Sequence, residues 1–154
     1  MKDSIADREL VVTRRFDAPR ALVWSAWTEP ARFCQWMGPR GFTTTVQAMD
    51  VRRGGQALYL MVGPDGTEWM NRARFTEVVP PERLVYLLDA GVDDDPATFE
   101  VTVTLASSAD GKQTQLTMRT LFPSAAELER VKAFGAVEGG QQTLDKLAAH
   151  LAAG

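Results

Sequence analysis

The run SAAELERVKAFGAVEGGQQTLDKLAAHLAA, residues 124–153, decides how the rest of the chain must be arranged. Ser124 is an N-cap residue and Glu127 stands three positions later, the spacing of a capping box ahead of an Ala- and Leu-rich helix. Counting back from the end, Leu151, Leu147 with Ala148, and Leu144 share one stripe, which continues to Gly140, Val137 and Phe134 with Ala133. The spacing predicts one long amphipathic helix with a flaw at Gly139-Gly140, where each glycine costs about 1 kcal/mol relative to alanine. Such a helix has to lie on an apolar surface, and the chain upstream has to supply it.

Upstream the pattern is mostly strand. Residues 1–8, MKDSIADR, are polar and read as a flexible start. Residues 9–17 alternate as a strand, with Leu10, Val12, Arg14 and Phe16 on one side. Pro19 then opens a short helix carrying Val23, Trp24 and Trp27, and residues 31–36 form a second after the Thr28-Glu29-Pro30 break. Further strands are expected at 42–51, 56–62, 67–79, 83–89, 98–105 and 114–122, separated by Gly54-Gly55, Gly63-Pro64-Asp65-Gly66, Pro80-Pro81, the acidic loop at 91–96 and Asp110-Gly111. Phe99, Val101, Val103 and Leu105 alternate with Glu100, Thr102 and Thr104, the pattern of an antiparallel sheet wet on one face. The order describes one α+β domain over residues 1–154: a curved antiparallel sheet of about seven strands around a long C-terminal helix, with two short helices after the first strand. A curved sheet closed by one helix leaves a cavity between them.

Bulk properties set the frame. The chain is 45% hydrophobic and 24% charged, as expected of a globular protein. A net charge of -3 with interspersed signs argues against nucleic acid as a partner. There is no basic-then-apolar leader and no stretch able to span a bilayer. The single cysteine, Cys34, has no internal partner, which suits a reducing cytoplasm. One cysteine and one histidine, His150, offer no metal-spaced cluster, so neither metal nor cofactor is expected.

Specific runs carry a family likeness. Arg14-Arg15-Phe16-Asp17-Ala18-Pro19, Val23-Trp24-Ser25-Ala26-Trp27-Thr28-Glu29-Pro30, Trp36-Met37-Gly38-Pro39 and Gly41-Phe42-Thr43 come in that order. They are followed by Asp50-Val51-Arg52-Arg53-Gly54-Gly55, Pro64-Asp65-Gly66, Glu77-Val78-Val79-Pro80-Pro81-Glu82-Arg83-Leu84 and Leu144-Asp145-Lys146-Leu147. Together, over about residues 9–151, they resemble the heat-shock protein 90 ATPase activator homologue family of the START-like (SRPBCC) superfamily. The resemblance implies the helix-grip fold and a range of roles: ligand carriage, cyclase or hydrolase chemistry, or chaperone interaction. It also implies that a co-chaperone would need a further chaperone-gripping domain, for which this chain has no room. Relatives often carry Gly-Trp in the last helix, where this chain reads Gly139-Gly140. Either a neighbour such as Trp69 or Met70 fills the tryptophan's place, or the cavity is larger here.

No catalytic template is present: there is no nucleophile elbow, phosphate loop or metal motif, and the reading leans away from an enzyme. His150 reads as exposed near a helix end, and Cys34 as a small buried hydrophobe. In the strand at 67–79, either Trp69, Asn71, Ala73 and Phe75 face the helix, or Glu68, Met70, Arg72 and Arg74 do; the first set is favoured. The expected cavity residues are Trp36, Met49, Tyr59, Met61, Trp69, Asn71, Phe75, Met118, Phe134, Glu138 and Gly140, with Asn71, Tyr59 and Glu138 orienting a ligand. For Glu138 the other reading, a solvated helix residue, is the favoured one. The expected occupant is a small, apolar or amphipathic molecule. A homodimer and a chaperone contact stay open, with no motif behind either.

Overall fold

The computed structural model describes residues 4–153 of the chain. Its strands are β1 (Glu9–Phe16), β2 (Thr43–Met49), β3 (Gln56–Val62), β4 (Glu68–Val79), β5 (Arg83–Asp89), β6 (Phe99–Ser107) and β7 (Thr114–Leu121). The helices are α1 (Arg20–Thr28), α2 (Pro30–Trp36), α3 (Ala125–Ala133) and α4 (Ala136–Ala152). Residues 1–3 of the expected flexible start lie outside the described residues. Within it, Ala6–Arg8 make a 3-10 turn, and the Arg8 guanidinium donates to the Phe122 carbonyl at 2.9 Å.

All seven strands form one antiparallel sheet in the order β1-β7-β6-β5-β4-β3-β2. From β2 to β7 each strand lies beside its successor, so turns alone connect them; only β1 joins from a distance, pairing Glu9 with Leu121. Register shifts between Val46 and Ala48 in β2 and between Phe75 and Glu77 in β4 mark bulges, which bend the strands and increase their twist. Val101, Val103 and Leu105 of β6 and Leu116 of β7 point into the concave side and are buried, as the alternation requires.

The C-terminal segment departs from one expectation. It is two helices, not one, and the break falls at Phe134-Gly135 rather than at Gly139-Gly140. The Phe134 N–H donates to the carbonyls of Arg130 and Val131, and the Gly135 N–H to that of Lys132, tightening the end of α3. Gly135 then takes φ +82°, a left-handed conformation that costs other residues roughly 1–2 kcal/mol. Gly139 and Gly140 stay helical inside α4. An added Cβ at Gly139 would meet Pro39 at 3.4 Å, so Pro39 packs on that surface in place of a side chain. The Ser124 hydroxyl does cap α3, accepting from the Glu127 N–H at 3.1 Å, while the Glu127 carboxylate turns to Arg130 at 3.0 Å.

The stripe that seats α4 is shorter than expected. Leu144, Leu147 and Leu151 are buried, but Val137 is 41% and Phe134 80% exposed. Polar clamps hold the helix on both flanks. Arg14 of β1 reaches Asp145 at 2.8 Å and the Gln141 side chain at 2.6 Å. From the other side, Lys146 donates to the Gly38 carbonyl at 3.2 Å and Arg40 pairs with Asp145 at 3.2 Å. Both clamps act between residues 141 and 146, C-terminal to Gly140.

Candidate functional site

Beneath Gly140 the sheet and α4 do not meet. A cavity of about 170 Å³ lies there, walled by side chains of every layer of the fold. Trp27 and Trp36 come from α1 and α2, with Met37 just beyond. Tyr59 comes from β3, Tyr86 and Leu88 from β5, Phe99 and Val101 from β6, Met118 and Thr120 from β7. Thr143, Leu144 and Gly140 of α4 form the roof. A Cβ built on Gly140 finds no atom within 4 Å, so the glycine leaves the roof open. Deeper in, a void of about 20 Å³ adjoins, lined by Phe33, Met49, Ala57, Ala73, Phe75 and Leu84. Trp27, Tyr59 and Tyr86 border both spaces.

The walls are rigid because they are aromatic and interlocked. Trp27 and Trp36 meet edge to face with centroids 4.8 Å apart, Phe33 meets Trp36 at 5.6 Å and Tyr59 at 5.0 Å, and Phe75 meets Tyr86 at 6.0 Å. Polar groups are few. Trp36 Nε1 donates to the Ala26 carbonyl at 3.0 Å, and the Thr143 hydroxyl to the Gly139 carbonyl at 2.9 Å. Trp27 Nε1 is buried with no hydrogen-bond partner among the described residues. The hydrogen bonds of the described residues include none from Tyr59 or Tyr86. Burial pushes both phenols up from their ordinary pKa, and for Tyr86 the nearby Tyr59 adds to the effect. No carboxylate, histidine, lysine or arginine lines either space. The chemistry available inside is therefore hydrogen bonding by neutral groups in an apolar surround.

Four of the residues expected from the sequence, Trp36, Tyr59, Met118 and Gly140, line the larger cavity; Met49 and Phe75 line the smaller one beside Tyr59. The favoured register of β4 is the one present: Ala73 and Phe75 are buried, while Arg72 pairs with Asp89 on the other face. Five expected residues stand elsewhere. Trp69 shares the inner parity but is 55% exposed, beyond the ground α4 covers, and Asn71 Nδ2 donates to the Trp69 carbonyl at 3.1 Å. Met61 packs on the core rim without reaching the cavity. Phe134 sits on the surface under the Arg130 guanidinium, 5.6 Å from its centroid.

Glu138 is also exposed, with Gln142 Nε2 at 3.5 Å, so of its two readings the solvated one holds. Neither Trp69 nor Met70 fills the place opposite Gly140. His150, expected to be exposed, instead buries Nε2 without a partner among the described residues. Cys34 is half-buried with Sγ 3.5 Å from the Ala31 carbonyl. The sequence reading missed Trp27 and Tyr86 as cavity residues, although Leu84-Tyr86-Leu88 alternates and could have placed Tyr86 inside.

A depression of about 360 Å³ on the outer face runs past Glu9, Arg83, Glu100, Thr102 and Arg119, where Arg119 pairs with Glu9 at 2.6 Å and Arg83 with Glu77 at 3.0 Å. Among the described residues no three His, Cys, Asp or Glu side chains gather as a metal site, and no helix is long and apolar enough to cross a membrane.

A family model described as "Activator of Hsp90 ATPase homolog 1-like protein" matches residues 17–152. Solved structures share the whole architecture. A solution structure from Arthrobacter aurescens superposes with a TM-score of 0.89 at 24% identity, covering 99% of this chain and 91% of its own. A crystal structure from Mycobacterium smegmatis gives 0.86 at 26% identity, covering 99% and 96%. One from Chromobacterium violaceum gives 0.80 at 27% identity, covering 94% and 96%. No curated protein matches the sequence.

Proposed function

The chain belongs to the activator of Hsp90 ATPase homolog 1-like family, and we propose that this member binds a small, largely apolar molecule between its sheet and α4. The observation that carries the proposal is the cavity of about 170 Å³ that opens where Gly140 presents no side chain. Its walls are preformed and aromatic, which lowers the ordering cost of binding. Its size fixes the scale of the occupant. A dry cavity of about 150 Å³ accepts benzene, whereas drug-sized pockets run to roughly 300–1,000 Å³. One ring with a short substituent fits; a sterol or a full acyl chain does not. The co-chaperone reading has no comparable anchoring observation in this chain. The free thiol of Cys34 suits a reducing compartment, which supports a cytoplasmic setting for this role.

The test compares the protein with its Gly140→Trp variant, using toluene as the probe. Ligand binding to the folded state raises the melting temperature with probe concentration. Toluene is expected to raise it in the parent and leave the variant unmoved, while the variant alone melts higher because an aromatic now fills the space. Equal shifts in both proteins would remove the site from beneath Gly140.

A further inference from the structure

Three side chains border both the larger cavity and the void beside it: Trp27, Tyr59 and Tyr86. Two of them, Tyr59 and Tyr86, bring hydroxyls with no protein partner among the described residues to the cavity wall. The third, Trp27, buries its Nε1 unpaired among the described residues, in a side chain only 4% exposed. An indole N–H can only donate. Leaving such a donor unsatisfied costs about 1–3 kcal/mol, and it lies behind the wall, out of direct reach of an occupant of either space. Tyr59 and Tyr86 are 4% and 7% exposed, and no hydrogen bond from either occurs among the described residues. Phe33 and Phe75 hold their rings edge-on, so the phenols cannot swing far. Burial keeps both phenols protonated well past neutral pH, so they act there as neutral donors.

An occupant must therefore bring an acceptor. It cannot bring a charge, because no ionised group lines the walls to meet one. Resting on the binding role above, we infer that the ligand is a neutral monocyclic compound bearing a carbonyl oxygen, received by the hydroxyls of Tyr59 and Tyr86. The apolar body lies against Met118, Leu144 and the open face of Gly140.

Acetophenone and ethylbenzene separate this inference from the reading it rests on, because they differ in little but the carbonyl. In titrations followed by nitrogen–proton NMR, acetophenone is expected to bind about tenfold tighter than ethylbenzene, the worth of one to two net hydrogen bonds. The Tyr59→Phe/Tyr86→Phe double variant should narrow the gap between ketone and hydrocarbon. Benzoate should bind more weakly than acetophenone. Equal affinity for ketone and hydrocarbon in the parent protein overturns the carbonyl assignment and leaves the apolar cavity standing. Benzoate binding as tightly as acetophenone overturns the neutrality of the ligand. Failure of both neutral probes removes the binding role itself. The parent comparison needs no variant, so a misfolded double variant does not decide the matter.

Discussion

Trp27 and Trp36 touch edge to face at 4.8 Å, yet Trp36 donates its indole N–H to the Ala26 carbonyl while Trp27 keeps its own buried and unpaired. Replacing each by phenylalanine therefore removes similar volume but opposite polar balances. Trp36→Phe abandons a buried acceptor; Trp27→Phe deletes an orphan donor. In urea unfolding, Trp36→Phe should cost about 1–3 kcal/mol more than Trp27→Phe. Equal losses would show that the Trp27 N–H is satisfied in solution.

The protein has two tyrosines, Tyr59 and Tyr86, and burial raises the pKa of both. A folded-state value above the unfolded one gives stability that is complete below about pH 10 and is lost as pH rises beyond it, since the unfolded chain then releases its phenol protons. Tyrosinate absorbance should stay flat through pH 10 and rise only when circular dichroism reports unfolding, for both residues together. A gradual rise near pH 10 in an intact fold would show that the phenols are wet.

Asp89, its side chain fully buried, accepts from Arg72 through both carboxylate oxygens at 3.0 Å, from Arg74 at 3.1 Å and from the Gly91 N–H at 2.7 Å. Burial alone would push its pKa up. The Arg72 hydrogen bonds, the Gly91 N–H and the charges of Arg72 and Arg74 together outweigh it, and the net shift is downward. The stability this adds is present above the ordinary carboxylate value, about pH 4, and is lost as pH falls below it. Asp89→Asn should cost about 2–3 kcal/mol at pH 7, less than the roughly 3–5 of a fully buried pair. Arg72 keeps Asp93 at 3.0 Å, and the Arg74 side chain is 44% exposed. Denaturation curves at pH 7 and pH 3 should show the gap closing in acid; a gap that widens would reverse the assignment.

Two glycines on the same segment should respond oppositely to alanine. Neither Cβ would meet an atom within 4 Å, so only the backbone decides. At Gly135, with φ +82°, Gly135→Ala should destabilise by about 1–2 kcal/mol. Gly140→Ala, in helical geometry, should stabilise by about 1 kcal/mol. Thermal melts of both variants check the pair.

The strands and their inward faces were legible because alternation is a local property: Val101-Val103-Leu105 and Ala73-Phe75 needed no knowledge of the fold. The Ser124 cap was legible for the same reason. The helix break was not. Phe134-Gly135 and Gly139-Gly140 look alike as breakers, and the choice is made by Pro39 packing on Gly139, a contact a hundred residues distant in sequence. The site was half legible. Parity says which face a side chain takes, but not where along the strand the covering helix ends. Trp69 and Asn71 therefore share the face of Tyr59 and fall outside the roof. Tyr86 and Trp27, less conspicuous in the pattern, lie beneath it.

The strand order has a consequence for how the protein comes into being. β2 to β7 can zip hairpin by hairpin, whereas pairing Glu9 with Leu121 closes a loop of over a hundred residues, at roughly 4 kcal/mol of chain entropy beyond a constant. β1 and α4 hold each other through Arg14 and Asp145. They come from opposite ends of the chain and dock on a sheet that can already exist. Pulse-labelled hydrogen exchange during refolding should find β3–β6 amides protected before those of β1. On the ribosome the cavity is completed only after the sheet, for its roof follows all seven strands along the chain: the nascent sheet waits with an open apolar face, and no ligand can be held until α4 has arrived.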